Sequence, residues 1–214
     1  MPIIFAQPSI QGLLGLWPLN ETLGTTAQNV GSGGNGTYEN APTLGEPGLK
    51  SSGTSVLFDG INEYIETNIT MTHPNFTLMC WINSGASPVG TGEFNGPMYG
   101  TYKGIIWDHV DPAFRGAGFV RVSSSFYAAT FGTLSLNTTY HLALTYDGSA
   151  LRTYKNGSIV TTNSSMSGDA DADATSLQFM KKGTDYMSGL LDEPRYYTEA
   201  VSGSTILSIY NAGL

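Results

Sequence analysis

Short apolar runs, each broken off by Gly, Asn, Asp or Pro, recur along almost the whole chain, and no helical periodicity of useful length precedes residue 200. SVLFDG (55–60), EYIET (63–67), FTLMCWI (76–82), GFVRVS (118–123), FYAATF (126–131) and YHLALTYDG (140–148) alternate or stay apolar throughout, as half-buried and fully buried strands do. This rhythm predicts an all-β, two-sheet antiparallel β-sandwich. Asp147-Gly148 and Asn156-Gly157 supply the positive φ of tight turns, so residues 140–163 read as two successive hairpins. A single short helix is expected at VSGSTILSIYNAG (201–213). There Ser202 or Ser204 caps the start, Ile206, Leu207 and Tyr210 share a face, and Gly213 ends it.

At 214 residues, 40% of them hydrophobic, the chain has enough apolar surface for one sizeable core. Residues 1–12, with two prolines and the apolar patch Ile3-Ile4-Phe5, read as an extended arm ahead of a domain spanning 13–214. A formal net charge of −8, with no basic cluster beyond Lys181-Lys182, argues against a nucleic-acid partner. No segment approaches the ~20 apolar residues of a membrane-spanning helix, and MPIIFAQPSIQGLLGLW lacks the pattern of a secretory signal. Cys80, alone in FTLMCWI, reads as a small buried hydrophobe, so no intramolecular disulfide is available.

Three acidic features bear on function. Asp192 and Glu193 sit between Leu190-Leu191 and Tyr196-Tyr197, on a strand bound for the interior, where an unpaired carboxylate is costly. GDADADA (168–174) spaces three aspartates at i, i+2 and i+4 but lacks the Gly and distal Glu of a calcium-binding loop, so it reads as a solvated acidic loop. Glu63 with Glu66, and Asp192 with Glu193, fall on opposite faces of their strands and cannot form a two-carboxylate glycosidase site. His73, His109 and His141 are scattered, and no nucleophile accompanies Asp108-His109. A non-enzymatic protein is expected.

Several segments in order resemble the laminin G-like, or concanavalin A-like, jelly-roll family in its prokaryotic or viral form. GLWPLNETLGTTAQNVGSGGNGTY (15–38) is similar to that family's first strand and Gly/Asn-rich turn. SVLFDGINEYIE (55–66) and FTLMCWIN (76–83) resemble its next strands, YHLALTYDGSALRTYKNGSIV (140–160) its hairpins, and GLLDEPRYYTEAVSGSTILSIYNAG (189–213) its closing segment. Tyr140 stands where the family usually has Trp, Asn29 where the first turn usually offers Asp, and Pro194 where Val is usual; a proline there suggests a strand edge or bulge. The resemblance implies a calcium ion (Ca2+) bridging the first turn to the last strand, held by Asn29, Gly31, Asn35, Asp192 and Glu193. The alternative for the acidic pair is Arg195 plus backbone donors, with no metal.

The Gly/Pro-punctuated segment EFNGPMYGTYKGIIWDH (93–109) offers Phe94, Asn95, Tyr99, Tyr102 and Trp107 as a candidate ligand-binding surface, with Tyr127 and Tyr186 as further candidates. Aromatic faces stack on sugar rings while amides meet hydroxyls. The alternative is that Trp107 and one tyrosine simply pack beneath a long loop. Two functions are expected from these features. One is a structural jelly roll displayed at a virion surface as a decoration, spike or fibre component, docked on other structural proteins of the particle through residues 1–12 and able to adhere to glycans. The other is a calcium-dependent, lectin-like module binding cell-surface glycans in an extracellular setting. Exposed edge strands make a homo-oligomer compatible with either.

Overall fold

The computed structural model describes residues 11–85, 94–108 and 115–213. The expected arm over residues 1–12 therefore lies outside the described residues, apart from Gln11 and Gly12. In chain order the strands are β1 (Leu13–Leu16), β2 (Thr26–Ala27), β3 (Gly36–Glu39), β4 (Thr43–Pro47), β5 (Thr54–Asp59) and β6 (Tyr64–Thr70). There follow β7 (Phe76–Ser84), β8 (Phe94–Tyr99), β9 (Lys103–Asp108), β10 (Arg115–Val122), β11 (Ser125–Thr133) and β12 (Thr139–Tyr146). The chain closes with β13 (Leu151–Lys155), β14 (Ser158–Asn163), β15 (Ser176–Phe179), β16 (Lys181–Lys182), β17 (Asp185–Tyr186), β18 (Ser188–Tyr197) and the helix α1 (Gly203–Ala212).

One sheet runs β14-β13-β12-β7-β18-β5-β4, with β1 also paired to β18; the other runs β11-β10-β9-β8-β15-β6-β3-β2. All the pairings are antiparallel, and β16 with β17 forms a separate small hairpin. The fold is thus the expected antiparallel sandwich with one short C-terminal helix. Its core lies between the sheets, where Phe58, Ile65, Leu78, Ile82, Phe131 and Leu144 are fully or almost fully buried. Both hairpin turns form as the sequence predicts, with Asn156 and Gly157 at φ 52° and 77° joining β13 to β14.

The helix closes a smaller apolar cluster on the outside of the first sheet, with Met79, Tyr154 and Tyr197 beneath it. Ser202 caps it by accepting a hydrogen bond from the Thr205 N–H. Its buried side chains are Ile206 and Ile209, whereas Leu207, expected on the buried face, is 44% exposed. Starting at Gly203 rather than 201 does not alter this phase. Tyr210 stacks on Trp81, with ring centroids 5.5 Å apart, and Ile209 rather than Leu207 points inward beside Ile206.

Candidate functional site

Cross-strand partners in an antiparallel sheet point to the same face, so the register of the second sheet defines what its outer surface carries. One line of paired residues crosses all eight strands: Ala128 on β11, Phe119 on β10, Gly104 on β9, Tyr99 on β8, Gln178 on β15, Glu66 on β6, Thr37 on β3 and Thr26 on β2. Their neighbours along each strand, among them Val120, Ile105, Met98, Leu177, Ile65 and Tyr38, enter the core. The row is apolar from Ala128 to Tyr99 and polar from Gln178 to Thr26. Gly104 is needed at its centre, because a Cβ there would stand 2.7 Å from the Met98 carbonyl oxygen and 2.9 Å from the Phe119 ring. Its absence lets Phe119 and Tyr99 approach to 5.7 Å between centroids.

Over the apolar half lies a cavity of about 320 Å3, lined by Tyr99, Ile106, Phe119, Phe126, Ala128 and Lys182 among others. Phe126, 59% exposed, forms its rim and lies 6.2 Å from Phe119. On the polar half, the Glu66 carboxylate accepts hydrogen bonds from the Ser176 hydroxyl and, at 2.6 Å, from the Gln178 amide. The β16–β17 hairpin brings Lys181 over Tyr64 and Tyr186, with the ammonium 3.8 Å and 5.6 Å from the two ring centroids.

Of the residues expected to form this surface, Tyr99 lies in the row and lines the cavity. Tyr102 stands beside it, 6.4 Å from Phe126, its face covered by the Arg121 guanidinium at 3.4 Å. Trp107 is fully buried between the sheets, because on β9 it has the parity of Ile105 rather than Ile106. The packing reading holds for this residue. The side chains of Phe94 and Asn95 lie outside the described residues. Tyr127 lines the cavity, while Tyr186 joins the Lys181 cluster. Phe119, Phe126 and Gln178 were not singled out from sequence, and Glu66 entered only as half of a rejected carboxylate pair. The alternation in GFVRVS and FYAATF could have set Phe119 and Phe126 opposite the core, but which strands lie side by side is a property of the topology.

The residues expected to hold calcium fall into two hydrogen-bonded groups with different partners. Asn29 ties the first turn to β1. Its Oδ1 accepts from Leu16 N–H (2.9 Å) and Gly31 N–H (2.7 Å), and its Nδ2 donates to the Leu14 and Gly34 carbonyls, each at 3.1 Å. Asn35 accepts from the Asn29 N–H, and a Cβ at Gly31 would stand 2.6 Å from the Leu14 carbonyl oxygen. In the second group, the β18–β7 pairing steps three residues from Asp192 to Arg195 against two on β7, and Glu193 at the bulge has φ 46°. The bulge suggested by Pro194 is present, in the middle of the sheet rather than at its edge. Glu193 then meets Lys50 and Arg195, each at 2.7 Å. Asp192, fully buried, accepts one hydrogen bond from Leu49 N–H at 3.1 Å, while its Oδ1 has no hydrogen-bond partner among the described residues. Burial pushes the Asp192 carboxyl up to about 6, against the pull of Lys50.

This donor set does not fit a calcium ion. The first-turn carbonyls already face an N–H donor, both Glu193 oxygens face cations, and among the described residues no three His, Cys, Asp or Glu side chains cluster as metal ligands. The Arg195 alternative is realised for Glu193.

The aspartates of 168–174 are less solvated than their sequence suggests. Asp171 pairs with Arg121 at 2.5 Å, and Asp173, 5% exposed, accepts from Tyr102 N–H. Burial raises the Asp173 carboxyl to about 6. The nearby Lys103, buried with its ammonium on the Met71 and His73 carbonyls, is lowered by burial to about 8. These contacts pin the loop against β10, which carries Arg121, and against the β8–β9 turn, which carries Tyr102.

The sequence model of the concanavalin A-like lectin/glucanases superfamily (Laminin_G_3) matches residues 59–207. The chain belongs to that superfamily. No curated protein matches it. Among solved structures, this superfamily member is similar to domain 4 of AbnA, a GH43 extracellular arabinanase from Geobacillus stearothermophilus, in complex with arabinotriose. The TM-score is 0.70 at 16% identity, over 92% of this chain and 98% of that one. It is also similar to Trypanosoma rangeli sialidase, with a TM-score of 0.68 at 14% identity, over 93% of this chain. The chain spans 32% of that sialidase's length, and at these identities the likenesses establish the fold.

Proposed function

We propose that this lectin/glucanase-like jelly roll binds carbohydrate without cleaving it, across the outer face of the second sheet. The observation that carries the reading is the row from Ala128 to Thr26, apolar over one half and hydrogen-bonding over the other. A sugar presents the same division, since its C–H faces stack on aromatic rings while its hydroxyls need directional partners. Tyr99 and the exposed Phe126 supply the stacking faces, with Phe119 packed beneath them, and Gln178, Glu66 and Thr37 the polar partners. From Tyr99 to Glu66 the row advances two strand spacings, roughly 10 Å, enough to engage more than one ring of a linear glycan. The arabinotriose bound by AbnA domain 4, a domain of similar fold, supports the class of ligand. A binding rather than cleaving role is supported by Glu66, whose two oxygens are engaged by Ser176 and Gln178 instead of being paired with a second carboxylate.

The test is titration against a panel of neutral oligosaccharides, with Tyr99→Ala and Gln178→Ala beside the parent protein. Each variant should weaken binding by about tenfold, the worth of one aromatic or hydrogen-bonding contact, while remaining folded at the assay temperature with a midpoint lowered by a few degrees at most. Glycan binding that survives both substitutions would place the ligand elsewhere, and release of reducing sugar by the parent protein would overturn the non-catalytic reading.

A further inference from the structure

The cavity beside the row is more apolar than a polyhydroxylated sugar requires. Ile106, Phe119, Phe126 and Ala128 face into it, and Thr101 at its margin is already hydrogen-bonded to Thr175 at 2.6 Å. A hydroxyl pushed against these side chains would lose water without gaining a partner, which opposes binding. A methyl group placed there would gain from leaving water. The cavity also opens directly onto the polar half of the row through Tyr99, which belongs to both. A wholly apolar ligand long enough to cover the row would strip water from the exposed Thr37 hydroxyl and from the Glu66 lone pairs that Ser176 and Gln178 leave open, with no donor in exchange. The site therefore suits a ligand that is a sugar along its length and carries a small apolar substituent at one position.

Resting on the carbohydrate reading above, we infer that the ligand is an N-acetylated glycan, whose acetamido methyl enters the cavity between Ile106, Phe119 and Ala128 while the ring stacks on Tyr99. The acetamido group matches the lining at both ends. Its methyl meets the aliphatic and aromatic side chains, and its amide oxygen and N–H remain toward the polar half of the row, on the side of Tyr99. Ala128 sets the room available, because it lies directly across from Phe119 on the edge strand and is exposed to the cavity. A larger side chain at position 128 would fill that space from the surface without entering the core.

The test compares chitotriose with cellotriose, which share a backbone linkage and differ in the acetamido group, by titration calorimetry on the parent chain and on Ala128→Leu. The parent should bind chitotriose about tenfold more tightly than cellotriose. Ala128→Leu should bring the two to the same affinity with its thermal midpoint kept. Equal affinity of the parent for the two trisaccharides, or binding of other panel glycans but neither of these, would overturn the acetamido inference and leave the carbohydrate reading standing. Binding of no glycan at all would overturn both. A preference for chitotriose that Ala128→Leu leaves intact would overturn the assignment to this cavity.

Discussion

Replacing Asn29 by aspartate changes one atom's hydrogen-bonding character in a site where every bond is assigned. The carboxylate keeps the two bonds received from Leu16 and Gly31 N–H, but turns its second oxygen toward the Leu14 and Gly34 carbonyls, each 3.1 Å from the present amide nitrogen. Two hydrogen bonds are lost and three oxygens face one another, a cost of about 2–4 kcal/mol. With an unfolding entropy of roughly 2.1 cal/mol/K per residue over 214 residues, the melting midpoint should fall by about 4–9 °C. The same three oxygens form the beginnings of a cation site, so added calcium should recover part of the loss in Asn29→Asp by binding the native state alone. The parent protein, whose amide already satisfies both carbonyls, should melt at the same temperature in EDTA and in excess calcium. Differential scanning calorimetry of both proteins in both buffers is decisive. A parent midpoint that drops in EDTA, or an aspartate variant as stable as the parent in EDTA, would refute the assignment of the amide as a metal-independent clasp.

Two further substitutions probe the acidic pair. The Asp192 carboxyl sits at about 6 in the folded protein against about 3.9 in an unfolded chain, so the folded state holds the proton more tightly. Its contribution to stability is fully present below pH ~4 and is lost as pH rises to ~6, by up to about 3 kcal/mol. Asp192→Asn should therefore match the parent near pH 4 and exceed it near pH 7 in denaturant titrations, and equal stability at both pH values would contradict the burial argument. Glu193→Gln leaves Arg195, 4% exposed, without its carboxylate partner and should cost about 3–5 kcal/mol, with urea midpoints as the readout.

Much of the fold was legible in the sequence because it rests on local physics. Alternation in EYIET and GFVRVS, Asp-Gly and Asn-Gly turns, and Ser202 ahead of an apolar triplet each act within a few residues, and each element formed where its pattern indicated. The candidate site was only partly legible. Tyr99 and Tyr102 were found because they cluster in sequence, but Trp107 in the same cluster faces the core, one residue out of phase with the surface. Glu66, Tyr99, Phe119 and Gln178 meet across four strands that the chain visits in the order β6, β8, β10 and β15, and no short-range pattern links them.

The acidic pair shows the same division. Sequence alone determined that two adjacent carboxylates on an interior strand needed partners, since an unpaired buried charge is intolerable in any fold. That a bulge at Glu193 would turn its carboxylate toward Lys50 and Arg195, leaving Asp192 to the Leu49 N–H, was decided by tertiary structure. Lys50 and Leu49 lie more than 140 residues away along the chain, and only the pairing of β5 with β18, which brings the 48–53 segment over the bulge, places them there. Burial and backbone preference are written residue by residue; the identity of a neighbour across a sheet is fixed by the closure of the whole sandwich.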